Sequence, residues 1–227
     1  MRPYPVSHSS LSRFINCPKQ FYELRVVKRV KDEQNEASIW GDRVHKSFEQ
    51  TLKGEAELPP EMACYQGYLD EIKKVTGKMS VEVKLAIDNN LQPCDFYAAN
   101  AFLRCIVDVL HVQEERALTM DHKTGKPRPS RQLKLTALIL FHHLPQIQIC
   151  KTGYFWLKTN TRNTEIYTRE QIPELWQEFL PDLRQFKQAF ETDTWQPRQS
   201  GLCNGWCPVH DCEYWKPKGS STLRRRG

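Results

Sequence analysis

The sequence predicts an α/β fold, a mixed central β-sheet flanked by helices. Three observations carry that expectation. "KMSVEVKLAI" alternates Val81, Val83 and Leu85 with Glu82 and Lys84, the period-two pattern of a strand with one buried face. "AFLRCIVDVLHV" is almost wholly apolar over strand length, as in a strand covered on both faces. Segments of helical periodicity precede and follow these runs. The order of helices, three strands, helix, strand, helix builds an α/β sandwich.

The elements follow in chain order. Ser7, Ser9 and Ser10 are candidate N-caps for a first helix carrying Leu11, Phe14 and Ile15. Pro18, in "NCPKQFYEL", suits the first turn of a second helix. From Glu36 to Leu52, Trp40, Val44, Phe48 and Thr51 share one helical stripe, and Gly54 ends the segment. Pro59 and Pro60 precede a helix expected over 61–75, stopped at Gly77. The first two strands and "ALTMDHKT" come next. "SRQLKLTALILFHHL" then reads as a helix capped by Ser130, and "QIQICKTGYFWL" as a fourth strand. The last helix has Pro173 in its first turn and Pro181 as an expected kink or break. From Thr192 the chain reads as irregular and cysteine-rich.

Bulk properties narrow the class. A chain of 227 residues fits one large domain, here expected over 1–215, with ample core and no need of staples. Apolar residues at 39% and charged residues at 26% describe a soluble globular protein rather than a disordered one. A net charge of +6 is compatible with a polyanionic partner, though many soluble enzymes share it. No run of 18 apolar residues occurs, so no membrane span is expected. The first residues lack the apolar core of a signal peptide, which predicts a cytoplasmic protein. The tail, 216–227, ending "GSSTLRRRG", is small, polar and basic, and is expected to be disordered. Of eight cysteines, a cluster in a reducing compartment reads as a metal site before it reads as disulfides.

The third strand raises the question of chemistry. Residues i and i+2 of a strand share a face, so Asp121 and Lys123 of "TMDHKT" project together and His122 points away. Asp108 interrupts the apolar run "CIVDVL", where an acid is costly unless paired or bound to metal. Thirteen positions separate the two aspartates, enough for two half-strands and a turn, so a hairpin brings them together. Two carboxylates suit a hard divalent cation, magnesium or manganese. Such an ion activates water and polarises phosphoryl oxygen, and a neighbouring lysine stabilises the developing charge. Acid, acid and lysine form a kit for phosphodiester hydrolysis. An ordinary surface ion pair accounts for the same Asp-x-Lys triplet. His45, in "WGDRVHKSFEQ", shares a helical stripe with Gly41 and Glu49. It is either a surface histidine paired with Glu49 or a nitrogen ligand oriented by Glu49. Glu82 either lines the site or faces solvent. Glu49 and Glu82 are therefore the expected supporting carboxylates.

Together these segments resemble the PD-(D/E)XK nuclease superfamily, in its RecB/AddB-like branch. "GDRVHKSFE" resembles that branch's helical motif, a glycine before a metal-binding histidine, here His45. "LRCIVDVL" is similar to the strand bearing the first metal-binding aspartate, here Asp108. "LTMDHKTGK" resembles the D/E-x-K motif, here Asp121 and Lys123, whose middle residue, His122, offers its backbone carbonyl to the metal. "QLKLTAL" is similar to the following helix motif, with Gln132 in place and Thr136 where the family expects tyrosine. The resemblance runs from about Ser9 to Trp215 and implies a restriction-endonuclease-like core.

Cys203, Cys207 and Cys212, in "GLCNGWCPVHDCEYW", need a fourth ligand. His210 is the local candidate, giving a zinc site; Cys17 is the distant one. The resemblance favours Cys17. AddB-type nucleases and the similar CRISPR adaptation exonucleases hold a 4Fe–4S cluster with one cysteine before the histidine motif and three near the C-terminus. Such a cluster would clasp the N- and C-terminal ends. Closing the loop from 17 to 203 would stabilise the fold by on the order of a few kcal/mol. Cys64, Cys94, Cys105 and Cys150 read as packing thiols.

The resulting expectation is a metal-dependent DNA exonuclease, acting on single strands or duplex ends in recombination, repair or mobile-element DNA processing. Asp108, Asp121, Lys123 and Gln132 carry catalysis, with His45 and the His122 carbonyl at the metal. The alternative is a non-catalytic DNA-end-binding adaptor that keeps the fold.

Overall fold

The computed structural model describes residues 4–32 and 34–219. Its helices are α1 (His8–Asn16), α2 (Pro18–Phe21), α3 (Glu36–Lys53), α4 (Gln66–Lys73), α5 (Gln132–His143) and α6 (Ile172–Thr192). Its strands are β1 (Lys78–Asp88), β2 (Ala101–Gln113), β3 (Arg116–Lys123), β4 (Ile149–Trp156) and β5 (Thr161–Thr168). The chain separates into two compact units. One carries Gln34–Glu178 together with the chain up to His8, and the other carries Ser9 to residue 32 and Phe179 to residue 219.

The first unit is built on one sheet in the order β1-β2-β3-β4-β5. β1, β2 and β3 form an antiparallel meander. β3 and β4 are parallel, joined through α5, and β5 returns antiparallel on β4. The mixed sheet is thus as expected, with one strand more. β5 lies between the fourth strand and the last helix, where the sequence pattern assigned no element.

Helices cover the sheet because their stripes demand it. Val44, Phe48 and Leu52 of α3 and Tyr68, Leu69 and Ile72 of α4 form one buried cluster with Val109, Met120 and Phe155. Burying Phe48 alone is worth about 2–3 kcal/mol. Asn35 caps α3 by accepting the Ser38 N–H at 2.9 Å, and Gly54, at φ +74°, ends it in the left-handed region. α5 is apolar all round and buried from Leu133 to Phe141 almost without interruption. Its last carbonyls, and the turn beyond, are satisfied by Arg169, which donates to Phe141 O, Leu144 O and Ile147 O at 2.8–2.9 Å.

Three other expectations shift. The helix expected over 61–75 divides into a 3-10 turn, Pro60–Tyr65, and α4. α6 runs on through Pro181 without a break. Ser130 lies just outside α5, but its Oγ still accepts the Gln132 N–H at 3.1 Å, so it serves the first turn as foreseen.

Besides a register shift between Ile87 and Asp88, the sheet is irregular around Asp108. The β2–β3 ladder stops at Val109↔Met120. In the β1–β2 ladder Val81↔Val109 is followed by Val83↔Val107, leaving Glu82 and Asp108 without a paired register between them. Glu82 sits there at φ +54°, a conformation costly for a non-glycine residue.

In the second unit α1 and α2 continue into a π-turn, Tyr22–Val26. Phe14 meets Phe186 edge-on at 5.0 Å, and Phe21 stacks on Trp195 at 6.1 Å. The expected disordered tail lies partly outside the described residues, from 220 on. Lys216 donates its N–H to Cys203 O at 2.8 Å, so the described chain remains attached past Trp215.

Candidate active site

The break in the sheet is where the site forms. Past Val109↔Met120 the His122 N–H has no ladder partner on β2. Asp108 Oδ2 accepts it instead, at 2.7 Å. The same oxygen lies 3.2 Å from His45 Nδ1 and 3.3 Å from His122 Nδ1. Asp108 is only 7% exposed, so the acid that interrupts an apolar strand is paid for by these contacts.

His45 reaches this place because α3 comes down against the end of β3. A Cβ on Gly41 would lie 3.3 Å from Thr124 Oγ1, and His45 follows one turn later on the same stripe. The His122 ring is buried edge-on against Phe48 at 5.0 Å and Tyr68 at 5.6 Å. Among the described residues, His45, Asp108 and His122 are the group that brings three donor atoms within 4.8 Å of one another. Sequence reasoning assigned His122 only a backbone carbonyl; its ring also turns to Asp108.

Asp121 stands beside this trio rather than within it. Gln132, at the start of α5, donates from Nε2 to Asp121 Oδ1 at 2.7 Å, and Lys123 pairs with Oδ2. Electrostatics separates the two acids. Burial opposes ionisation of Asp108, but hydrogen bonds from His122 and His45 outweigh it and hold its carboxyl below the usual range. Burial and then the Asp108 charge push Asp121 up, against the pull of Lys123. Burial also opposes the His45 cation, yet its contact with Asp108 raises it. A cation placed here would displace the His45 proton and relieve the repulsion between the acids.

Three further residues were not foreseen at the site. Tyr154, directly opposite Asp121 in the β3–β4 register, lies under Lys123 with Nζ 5.4 Å from its ring. Its hydroxyl donates to Ser130 Oγ at 3.1 Å, and burial pushes its pKa up to about 12. His8 Nε2 lies 3.5 Å from the same Oγ, and burial with Lys123, Arg131 and Arg128 pushes it down to about 4. The parallel register that brings Tyr154 to Lys123 leaves no local sequence signal. Thr136, where a tyrosine was expected, is buried in α5.

The supporting carboxylates part company. His45 turns to Asp108 and not to Glu49. Glu49 instead pairs with Lys46 at 3.1 Å and Lys53 at 2.6 Å, its neighbours one turn away on either side. Glu82 lies beside the site, and burial and then Asp108 raise its pKa.

In the second unit Cys17, Cys203, Cys207 and Cys212 line one small cavity with Gln20 and Arg198. N–H groups are aimed at three of the sulfurs. Gln20 N–H and Arg198 N–H approach Cys17 Sγ at 3.5 and 3.4 Å, Gln20 Nε2 approaches Cys207 Sγ at 3.4 Å, and Ser200 N–H approaches Cys203 Sγ at 3.4 Å.

Comparison with known families matches residues 5–212 to one of them. The chain belongs to the PD-(D/E)XK nuclease superfamily. Members of the superfamily use divalent metals, in keeping with the trio at Asp108. Solved structures agree on the fold. SSO0001 is 15% identical with a TM-score of 0.53, covering 92% of this chain and 86% of its own. A protein from Eubacterium rectale, described as a "Putative exonuclease", is 11% identical with a TM-score of 0.50, covering 89% and 86%. No curated protein matches the chain. No helix among the described residues is long and apolar enough to cross a membrane.

Proposed function

We propose that the protein is a divalent-metal-dependent deoxyribonuclease acting as an exonuclease on single-stranded DNA or duplex ends. The observation that carries this is the His45–Asp108–His122 trio set beside the Asp121–Lys123 pair. His45, Asp108 and Asp121 would hold the cation, with the His122 carbonyl or ring completing the set. When bound, the cation lowers the pKa of a water and neutralises phosphate charge. Nitrogen donors beside carboxylate favour manganese over magnesium. Lys123 would steady the charge that grows on the phosphoryl oxygens. Gln132 fixes Asp121, and the Tyr154 ring faces the Lys123 ammonium.

The second part of the proposal is a 4Fe–4S cluster at Cys17, Cys203, Cys207 and Cys212. Four thiols lining one cavity, with N–H donors directed at three of them, fit a cluster whose sulfurs accept hydrogen bonds. A zinc tetrahedron fits less well. It needs sulfurs about 3.8 Å apart, by Zn–S bonds of about 2.3 Å. Among the described residues no three cysteine sulfurs lie within 4.8 Å of one another. The role of the cluster would be to clasp the chain ends in DNA repair, recombination or mobile-element processing.

The test uses anaerobically purified protein with manganese and 5′- or 3′-labelled single strands, beside a circular single strand. Stepwise shortening of linear DNA with the circle intact supports an exonuclease. Linearisation of the circle overturns that assignment. Iron and acid-labile sulfide near four of each per chain support the cluster, whereas zinc alone overturns it.

A further inference from the structure

A patch on the outer part of the sheet is not used by the chemistry above. Lys84 of β1 faces Ile106 of β2 in register. Arg104 lies two residues from Ile106, on the same face of the strand. The loop after β1 folds over this strip. Asp95 Oδ1 accepts the Tyr97 N–H at 2.8 Å and fixes the turn that presents Phe96 and Tyr97. Lys84 Nζ donates to Tyr97 Oη at 2.9 Å and lies 5.0 Å from its ring centre. The Arg104 guanidinium lies 4.9 Å from the centre of Phe96. Phe96 in turn meets Tyr97 edge-on at 5.1 Å.

Two features set this cluster apart from an ordinary surface. Tyr97 is 71% exposed and Ile106 41%, although the tyrosine is held at its hydroxyl and at its backbone. Holding a ring still while leaving it in water stabilises little by itself. Neither cation, moreover, forms an ion pair with a carboxylate among the described residues: each lies against an aromatic ring, with Glu82 and Glu49 acting on Lys84 only at longer range. The strip leads straight to the break in the sheet. Two residues from Lys84 and Ile106 lie Glu82 and Asp108, about 7 Å along the strands.

We propose that Tyr97, braced by Lys84 and Phe96 and flanked by Arg104, is a stacking platform for a base of the single strand whose phosphate enters at Asp108. This rests on the nuclease reading above. An exposed ring between two cations that form no carboxylate ion pair matches a strand of stacked bases and phosphates. A helix from a protein partner would instead need an apolar groove, and one ring with one isoleucine does not supply it.

The test compares a 12-nucleotide single strand with an abasic sugar-phosphate strand of the same length, using wild type, Tyr97→Ala and Tyr97→Trp. The abasic strand offers phosphates to the metal site and no base to the platform. The wild type should prefer the strand with bases, and Tyr97→Ala should lower that preference by about 5- to 100-fold through KM, with Tyr97→Trp restoring it. Arg104→Ala should weaken binding and flatten its salt dependence by about one counterion. A preference unchanged within twofold in Tyr97→Ala overturns the platform. If the wild type cleaves no DNA, the nuclease reading fails on its own. Fluorescence anisotropy with the labelled 12-mer then decides the platform: weaker binding by Tyr97→Ala supports it, and equal binding refutes it.

Discussion

Replacement of Asp108 separates what it does for the fold from what it does for the metal. Its Oδ2 is the acceptor for a buried N–H, that of His122, which no strand serves. Asp108→Ala leaves that donor unpaired and takes the partner from His45 and from the His122 ring. A hydrogen bond to a charged group is worth about 1.5–3 kcal/mol, and an orphaned buried donor costs about 1–3 kcal/mol. Removing the buried charge returns part of this, so a net loss of about 2 kcal/mol is expected. For a unit of this size that lowers Tm by roughly 4–8 °C. Asp108→Asn keeps a carbonyl acceptor for the His122 N–H and should stay within about 1 kcal/mol of wild type. Both variants should lose cleavage, because a neutral amide does not hold a hard cation as a carboxylate does. Urea unfolding with a chelator present reads the fold, and a labelled-strand assay reads activity. Equal stability of Asp108→Ala and wild type would refute the role given to the His122 N–H. Equal loss in the asparagine and alanine variants would show that the charge matters and the acceptor does not.

The remaining predictions are shorter. The trio of two imidazoles and one carboxylate should support higher activity with manganese than with magnesium. His45→Ala should narrow that gap, measured by metal titration of strand cleavage. His111 is 3% exposed, neither ring nitrogen has a partner among the described residues, and burial lowers its pKa. The unfolded chain takes up this proton near pH 6.5. The stability tied to neutral His111 is therefore present above that pH and lost below it, by up to about 1.4 kcal/mol per pH unit. His111→Leu should flatten the fall in Tm between pH 7 and pH 5. Cys17→Ser should bleach any iron–sulfur absorbance and lower the thermal stability of the cysteine-bearing unit, read by visible absorption and limited proteolysis.

Much of the fold was legible because its signals are local. The alternation of Val81, Val83 and Leu85 gave β1, the stripe of Val44 and Phe48 gave α3, and Gly54 marked its end. β5 escaped because it is an edge strand with little to bury. Tyr167 is its one fully buried side chain, so no period-two pattern shows. The left-handed Glu82 was equally invisible, since nothing in "SVEVKL" requires a positive φ. At the site, the hairpin joining the strands of Asp108 and Asp121 was readable, but the structure sets Asp121 beside the Asp108 trio rather than in it. The partner of His45 was not readable. Spacing along one helix pointed to Glu49, four residues away, whereas the buried Asp108 lies across from it on β2. Tyr154 was hidden for the same reason, because the parallel register that sets it opposite Asp121 spans a whole crossover. The four cysteines were readable as a group only through the resemblance, with 186 positions between Cys17 and Cys203.

The central claim is that Lys123, paired with Asp121 beside the Asp108 trio, serves metal-dependent phosphodiester cleavage. Single-turnover cleavage of an end-labelled single strand by wild type and Lys123→Ala, each loaded with manganese, tests it most directly. The account predicts a rate lower by about 100- to 10,000-fold in the variant, with folding and manganese binding retained. A variant within tenfold of wild type, or a folded, metal-loaded wild type that leaves DNA intact, would contradict it.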